Sequence, residues 1–299
     1  MEKVQFKGIM PALITPMDAN EKLIRPAVGE LIEYQLSRGM DGFYVGGATG
    51  EGPIIPPSTR MELCEAAIEA NRGRAKIIVH VGGPNFTDVQ ALTKHATECG
   101  ADGISAMAPN AYFGHSDREL IDYYKRIASL SDKPLLVYVT PLMLGNNLTS
   151  VFTELMEVEN IIGLKFTQYN YYLLTLLKMI NGGNINIING PDEMLLCGLS
   201  MGADGGIGST YNIMPDRFAA LYKAFRASDI KSARAIQFGI NRIIRVILEF
   251  RGGKTLANVK DAIRLMGFNA GECAFPMACA DAAELADLKT KLIAAGLEL

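Results

Sequence analysis

The sequence has little that would suit a nucleic acid, a membrane or a metal ion. Its 29 Lys and Arg are outnumbered by 32 Asp and Glu, for a formal net charge of −3. No Lys/Arg stripe offsets that balance, so a polyanion finds no attracting field. No apolar run approaches the roughly 18 residues of a membrane span. The opening Met1-Glu2-Lys3-Val4 lacks the apolar stretch of a signal peptide. The five cysteines, Cys64, Cys99, Cys197, Cys273 and Cys279, are scattered and odd in number, with no close pair of the metal-binding type. Nucleotide, haem and EF-hand motifs are missing. The expectation is a cytoplasmic protein with reduced thiols, no metal and no cofactor.

What is present is a repeating strand–helix unit in a chain of 299 residues, 49% of them hydrophobic. Gly39-Met40-Asp41-Gly42, Gly100-Ala101-Asp102-Gly103 and Gly202-Ala203-Asp204-Gly205 each follow a helical pattern and precede a short apolar run. The first glycine suits a left-handed helix terminus and the second a tight entry into a strand. Their spacing fits two, then four, strand–helix steps of roughly 25–30 residues. Strands are expected at 8–15, 42–46, 76–81, 103–108, 134–140, 161–166, 184–189 and 204–209. Most lack polar alternation, as parallel strands covered by helices do. Thr59-x-x-Glu62, Thr87-x-x-Gln90 and Ser116-x-x-Glu119 have the form of capping boxes.

Such a chain is expected to be α/β, a (β/α)8 TIM barrel over residues 1–227. A C-terminal extension at 228–299 would add helices packed on that barrel as one structural unit, with Gly252-Gly253 separating two of them. An open doubly wound sheet would want a glycine-rich phosphate turn after its first strand, and Ile14-Thr15-Pro16-Met17 is not one.

In a barrel the chemistry gathers at the C-terminal strand ends. Lys165 interrupts the apolar run Ile161-Ile162-Gly163-Leu164-Lys165-Phe166. Burial of an ammonium is costly, and desolvation favours the neutral amine that attacks a carbonyl. The same residue could be a structural lysine paired with a carboxylate, or one whose amine snorkels to the mouth. Tyr138, one step earlier, could shuttle protons or simply fill space. Gly47-Ala48-Thr49-Gly50-Glu51 offers amides and a hydroxyl that could hold a carboxylate, or is a tight turn. His80, at a strand end, has no partner at ligand spacing and fits a satisfied core imidazole. His95 and His115 are assigned no role. The cluster Tyr169-Asn170-Tyr171-Tyr172-Leu173 suits packing or a subunit contact better than a cofactor site.

Together these residues resemble the N-acetylneuraminate lyase and dihydrodipicolinate synthase family of Schiff-base aldolases. Tyr44-Val45-Gly46-Gly47-Ala48-Thr49-Gly50-Glu51 is similar to the family's GxxGE loop, and Ile162-Gly163-Leu164-Lys165-Phe166-Thr167 to its lysine strand. The most specific stretch, Asn189-Gly190-Pro191-Asp192-Glu193 with the run from Gly202 to Asn212, resembles the sialic acid lyase branch. The resemblance implies cleavage of a 2-keto-3-deoxy sugar acid, such as N-acetylneuraminate, to pyruvate and an aldehyde. It implies Lys165 as Schiff-base nucleophile and Tyr138 as proton relay helped by Thr167. Ala48 and Thr49 would hold the substrate carboxylate. Asp192 and Glu193 would accept hydrogen bonds from the sugar hydroxyls, with Gly190 and Ser209 nearby. A homotetramer is implied as well. The segment after Tyr138 contains no arginine for a second substrate carboxylate, which disfavours the synthase branch. Departures from the pattern are Ala48 for serine, Ala111 (or, shifted by one, Tyr112) at a tyrosine position, Val139 for asparagine, and Pro191 for an aromatic residue.

Overall fold

The computed structural model describes residues 6–109 and 113–299; Ala111 and Tyr112 lie outside them. The strands are β1 (Gly8–Pro11), β2 (Gly42–Val45), β3 (Lys76–His80), β4 (Gly103–Met107), β5 (Leu135–Val139), β6 (Ile161–Phe166), β7 (Asn186–Asn189) and β8 (Gly205–Gly208). Each is followed by one α-helix. These are α1 (Arg25–Ser37), α2 (Pro57–Asn71), α3 (Phe86–Glu98), α4 (Asp117–Ala128), α5 (Leu148–Leu155), α6 (Tyr171–Lys178), α7 (Leu195–Ser200) and α8 (Pro215–Arg226). After them come α9 (Ile230–Glu249), α10 (Thr255–Leu265) and α11 (Ala282–Ala294), with Gly252 and Gly253 between α9 and α10. No helix among the described residues is long and apolar enough to cross a membrane.

All strand pairs are parallel, in the order β1-β8-β7-β6-β5-β4-β3-β2. A parallel bridge from Ala12 to Tyr44 closes the circle, giving the (β/α)8 barrel. Most strands are shorter than the runs expected of them, while β6 matches its run at Ile161–Phe166. β1 stops at Pro11, for example, although Leu13 still donates to the Tyr44 carbonyl at 2.9 Å.

Burial on both faces explains the uniform apolarity. Met10, Tyr44, Ile78, Leu136, Tyr138 and Ile188 pack inside the barrel. Their neighbours Val45, Val79, Val137, Val139 and Ile187 pack outward against the helices. Each buried branched side chain removes enough apolar surface from water to contribute about 1.5–3 kcal/mol. On the opposite wall Ile9 and Ile14 share an apolar cluster with Phe218, Ile240, Ile247, Val259 and Leu288, which seats α8 to α11.

The repeated Gly-x-Asp-Gly segments act as joints. Gly39, Gly100 and Gly202 have φ of 80°, 86° and 98°, where a Cβ is strained. Each aspartate then accepts an N–H from the strand before it: Asp41 from Ile9 at 2.8 Å, Asp102 from Ile77 and Asp204 from Ile187, both at 2.9 Å.

Two of the three expected capping boxes are corrected. α2 begins at Pro57, so Thr59 is a buried third residue of the helix and not its cap; the fixed φ of proline starts this helix instead. α3 is capped by Asn85, whose side chain accepts the Thr87 N–H. Of the three, Ser116 and Glu119 alone form the reciprocal box, at the start of α4; a further one, Asp281 with Glu284, starts α11.

Candidate active site

Strand register determines which side chains meet at the mouth. Tyr138 on β5 pairs with Lys165 on β6, and Lys165 with Ile188 on β7. Lys165 points inward and is only 5% exposed. Its Nζ lies 4.2 Å from the Tyr138 ring centroid and 4.6 Å from that of Tyr44. Among the described residues no carboxylate comes within 4.0 Å of it. The structural alternative of a lysine paired inside the barrel therefore has no acid to supply it. Two aromatic faces hold the amine in place.

Tyr44, Tyr138 and His80 form a triangle of rings with centroids 6.0–6.1 Å apart. The Tyr44 hydroxyl donates to Ser105 Oγ at 3.0 Å. His80 is enclosed. Arg60 Nη2 donates to its carbonyl at 2.6 Å, and Nε2 accepts the Met107 N–H at 3.2 Å. Burial and the neighbouring Arg60 charge hold the imidazole well below its ordinary pKa, so it is neutral. His80 is thus a satisfied core residue in the wall that supports Tyr44 and Tyr138.

The turn after β2 approaches from one side. Thr15 Oγ1 donates to the Gly50 carbonyl at 2.5 Å and ties the turn to the end of β1. Glu51 and Gly52 N–H groups close it onto the Ala48 and Gly47 carbonyls. Among the described residues the Ala48 and Thr49 N–H groups donate to no carbonyl, so both remain available to an anion. Thr49 Oγ1 lies 2.6 Å from Ser209 Oγ, linking the turn to the end of β8. Beneath it Glu51, with φ 60°, is buried. Glu51 Oε2 accepts the Ala274 N–H at 2.6 Å, and Oε1 makes a 2.6 Å ion contact with buried Lys260, off the angle of a hydrogen bond.

Across the mouth a cavity of about 280 Å³ is walled by Thr167, Gly190, Asp192, Glu193 and Ser209, with Pro141 and Pro191 beside them. Five expected site residues thus share one hollow. Thr167 Oγ1 is buried and finds no hydrogen-bond partner among the described residues. Asp192 Oδ2 accepts both the N–H and the hydroxyl of Thr210, at 2.7 and 2.6 Å. Burial pushes the Asp192 carboxyl up to about 6, against the pull of Thr210 and of Lys165. Glu193 accepts the Tyr169 hydroxyl, and this hydrogen bond, with burial second, pushes the phenol up to about 12. A larger hollow of about 610 Å³ lies on the outer shell between α9 and α11, lined by Arg242, Arg245, Glu249 and Lys291. It is away from the strand ends, and its one lysine, Lys291, is exposed and ion-paired with Asp287.

Gly190 is fixed by close approach. A Cβ there would stand 2.0 Å from Thr167 Oγ1 and 2.8 Å from the Phe166 carbonyl oxygen. Gly190→Ala is expected to destabilise the fold by about 1–3 kcal/mol through overpacking. It should also displace Thr167, visible as a lowered urea midpoint together with a lowered kcat/KM.

Three residues escaped the sequence reading. Tyr44 belongs to the quoted loop motif, yet nothing in its own segment says that it faces Lys165. Tyr169 was grouped with packing tyrosines but lines the cavity. Lys260 lies in α10 with no local mark of its ion pair. One expectation also changes sense: Val139 faces the helices, so its departure from the family pattern is not in the cavity wall.

A parallel barrel with a buried lysine on β6 and a hydroxyl- and carboxylate-lined hollow at its strand ends, whose walls include neither Lys165 nor Tyr138, has the plan of a barrel lyase. The chain belongs to the dihydrodipicolinate synthetase family, whose model matches residues 5–295. It is 34% identical over 286 residues to the N-acetylneuraminate lyase of Rhizobium meliloti (strain 1021), covering 96% of this chain and 94% of the relative. A Ruminococcus gnavus sialic acid aldolase, solved as a catalytic lysine mutant, superposes with a TM-score of 0.90 at 27% identity, covering 97% and 96% of the two chains. A prophage protein of the dihydrodipicolinic acid synthase family from E. coli K12, solved with pyruvate, gives 0.91 at 27% identity, covering 99% of this chain and 100% of its own.

Proposed function

We propose that this chain is a class I aldolase cleaving N-acetylneuraminate, or a closely related 2-keto-3-deoxy sugar acid, to pyruvate and an aldehyde such as N-acetylmannosamine. The observation that carries the proposal is the buried Lys165 amine, with no carboxylate among the described residues within 4.0 Å and flanked by Tyr138. Lys165 Nζ adds to the keto carbon and water leaves, giving an iminium. That cation accepts the electron pair of the breaking C3–C4 bond as the C4 hydroxyl loses its proton. An aldehyde departs and an enamine of pyruvate remains. Protonation at C3 and hydrolysis release pyruvate and restore the amine. In this reading Tyr138 carries the C4 proton, helped by Thr167; its position on the adjacent strand, in ring contact with the amine, supports that role. No cofactor is required, because the iminium is itself the electron sink.

The Ala48 and Thr49 amides with the Thr49 hydroxyl suit the carboxylate, and Asp192, Glu193 and Ser209 suit a polyol chain. The segment Thr140-Pro141-Leu142-Met143-Leu144 supplies no cation for a second carboxylate. Turnover of N-acetylneuraminate, 2-keto-3-deoxygluconate and aspartate semialdehyde tests the choice. The first should have the highest kcat/KM; preference for aspartate semialdehyde would overturn it. The five free cysteines suit a cytoplasmic setting, and the likeness to family members suits a homotetramer.

Asp192 gives the reaction a pH signature. Its folded pKa, about 6, lies above the ordinary 3.8. The protonated acid therefore stabilises the fold fully below about 4, and that contribution is lost as pH rises through about 6. Recognition runs the opposite way, since a carboxylate accepts hydroxyl hydrogen bonds better than an acid. KM for the sugar acid should rise as pH falls below about 6, and Asp192→Asn should flatten that rise in a pH–KM profile.

A further inference from the structure

Far from the mouth, on the outer shell, α2 and α3 bring together residues that the sequence keeps apart. Cys64 faces inward from α2 and is only 1% exposed. His95 and Cys99 stand one turn apart at the C-terminal end of α3, with Cys99 as its cap. The donor atoms of the three residues all lie within 4.8 Å of one another. The expectation of no metal-binding group rested on spacing along the chain; these ligands come from two helices, which that spacing cannot show.

We propose that Cys64 Sγ, Cys99 Sγ and His95 Nδ1 bind one thiophilic divalent cation of the zinc class, with water at the fourth position. A tetrahedral zinc at about 2.3 Å from sulfur and about 2.0 Å from nitrogen sets those two atoms roughly 3.5 Å apart. Cys99 Sγ stands 3.7 Å from His95 Nδ1 and 3.5 Å from Nε2, near that separation for either nitrogen before any ion draws them together. The other ring nitrogen already has a partner, since Nε2 lies 3.0 Å from Glu65 Oε1. With Nε2–H donating to this carboxylate, the tautomer leaves the Nδ1 lone pair for the ion. This is the carboxylate–histidine–metal relay that orients and strengthens an imidazole ligand. Arg25 in turn holds Glu65, with Nη1 3.4 Å from Oε2. His95 and Glu65 are 20% and 46% exposed at their side chains, which gives an ion and its water a path in from solvent.

Binding exchanges two thiol protons for one ion, so affinity rises with pH. The site joins α2, which follows the anion-binding turn, to α3. A bound ion favours the folded state that preforms the site and raises Tm. Cys273 and Cys279, with sulfurs 3.4 Å apart, are a competing thiol pair elsewhere in the chain and must be controlled for.

The test is titration of the reduced, chelator-treated full-length protein with Co2+, followed by the thiolate charge-transfer and visible d–d bands, and repeated with Zn2+ by calorimetry. One equivalent per chain should bind, with tetrahedral d–d intensity and a raised Tm. Cys99→Ser and His95→Gln should each weaken binding by at least about 100-fold, and Glu65→Ala by about 10–100-fold as an orienting partner. A Cys273→Ser/Cys279→Ser variant should bind normally. Turnover of the 2-keto sugar acid checks that each variant is folded, because none of these residues touches the barrel mouth. No stoichiometric binding by the native chain would overturn the proposal. So would binding that survives Cys99→Ser and His95→Gln, or that is lost in Cys273→Ser/Cys279→Ser.

Discussion

Replacing Lys165 with alanine should lower kcat on N-acetylneuraminate by about four orders of magnitude or more, with the fold intact. Removing a covalent nucleophile leaves only binding and polar positioning, and losses on that scale are typical of such a deletion. Stability should change little by comparison. The lysine has no buried carboxylate partner among the described residues, so its removal orphans no charge. What goes is the aliphatic stem and the contact of its Nζ with the Tyr44 and Tyr138 rings. Circular dichroism and the urea midpoint separate the two effects. A variant that unfolds, or one that keeps substantial turnover, would each count against the role given to Lys165.

The second large effect belongs to Lys260. Its side chain and that of Glu51 are each 1% exposed, and they meet at 2.6 Å under the turn that carries Ala48 and Thr49. Lys260 Nζ also donates to the Glu272 carbonyl at 2.5 Å. Lys260→Met leaves a buried carboxylate without its cation, which costs about 3–5 kcal/mol. The turn would then be pulled toward solvent with Glu51, and the Ala48 and Thr49 amides proposed to hold the substrate carboxylate would move with it. We expect a large fall in the urea midpoint and a raised KM. The double variant Glu51→Gln/Lys260→Met should recover much of the stability, because it removes both charges together. A double-mutant cycle on unfolding free energy checks this; additive losses would show that the two residues do not act as a pair.

These two lysines also mark what the sequence could and could not reveal. Lys165 was legible because a cation inside an unbroken apolar strand conflicts with its surroundings, and such conflicts point to function. Lys260 sits in a mixed helix where lysine is ordinary, and its partner is fixed by the return of α10 onto the barrel. The barrel itself was legible from two-sided apolar strands and the Gly-x-Asp-Gly joints. The aspartates of those joints were not explained until the strand before each was seen to donate to them. Thr59 was misread because a capping box is a local pattern, and Pro57 starts the helix earlier. Val139 was counted among the departures from the family pattern, but it neighbours Tyr138 on the strand and therefore faces the opposite side, toward the helices. Tyr44 shows the converse. It reaches Lys165 only because the barrel closes, bringing strands far apart in the chain across one interior.

The most direct measurement is borohydride reduction of the protein incubated with pyruvate, followed by peptide mass spectrometry. A stable pyruvate-derived adduct confined to the peptide bearing Lys165, and missing from Lys165→Ala, is the expected result. Native protein that stays unmodified at saturating pyruvate, or carries the adduct on another lysine, would contradict the assignment of covalent chemistry to this amine.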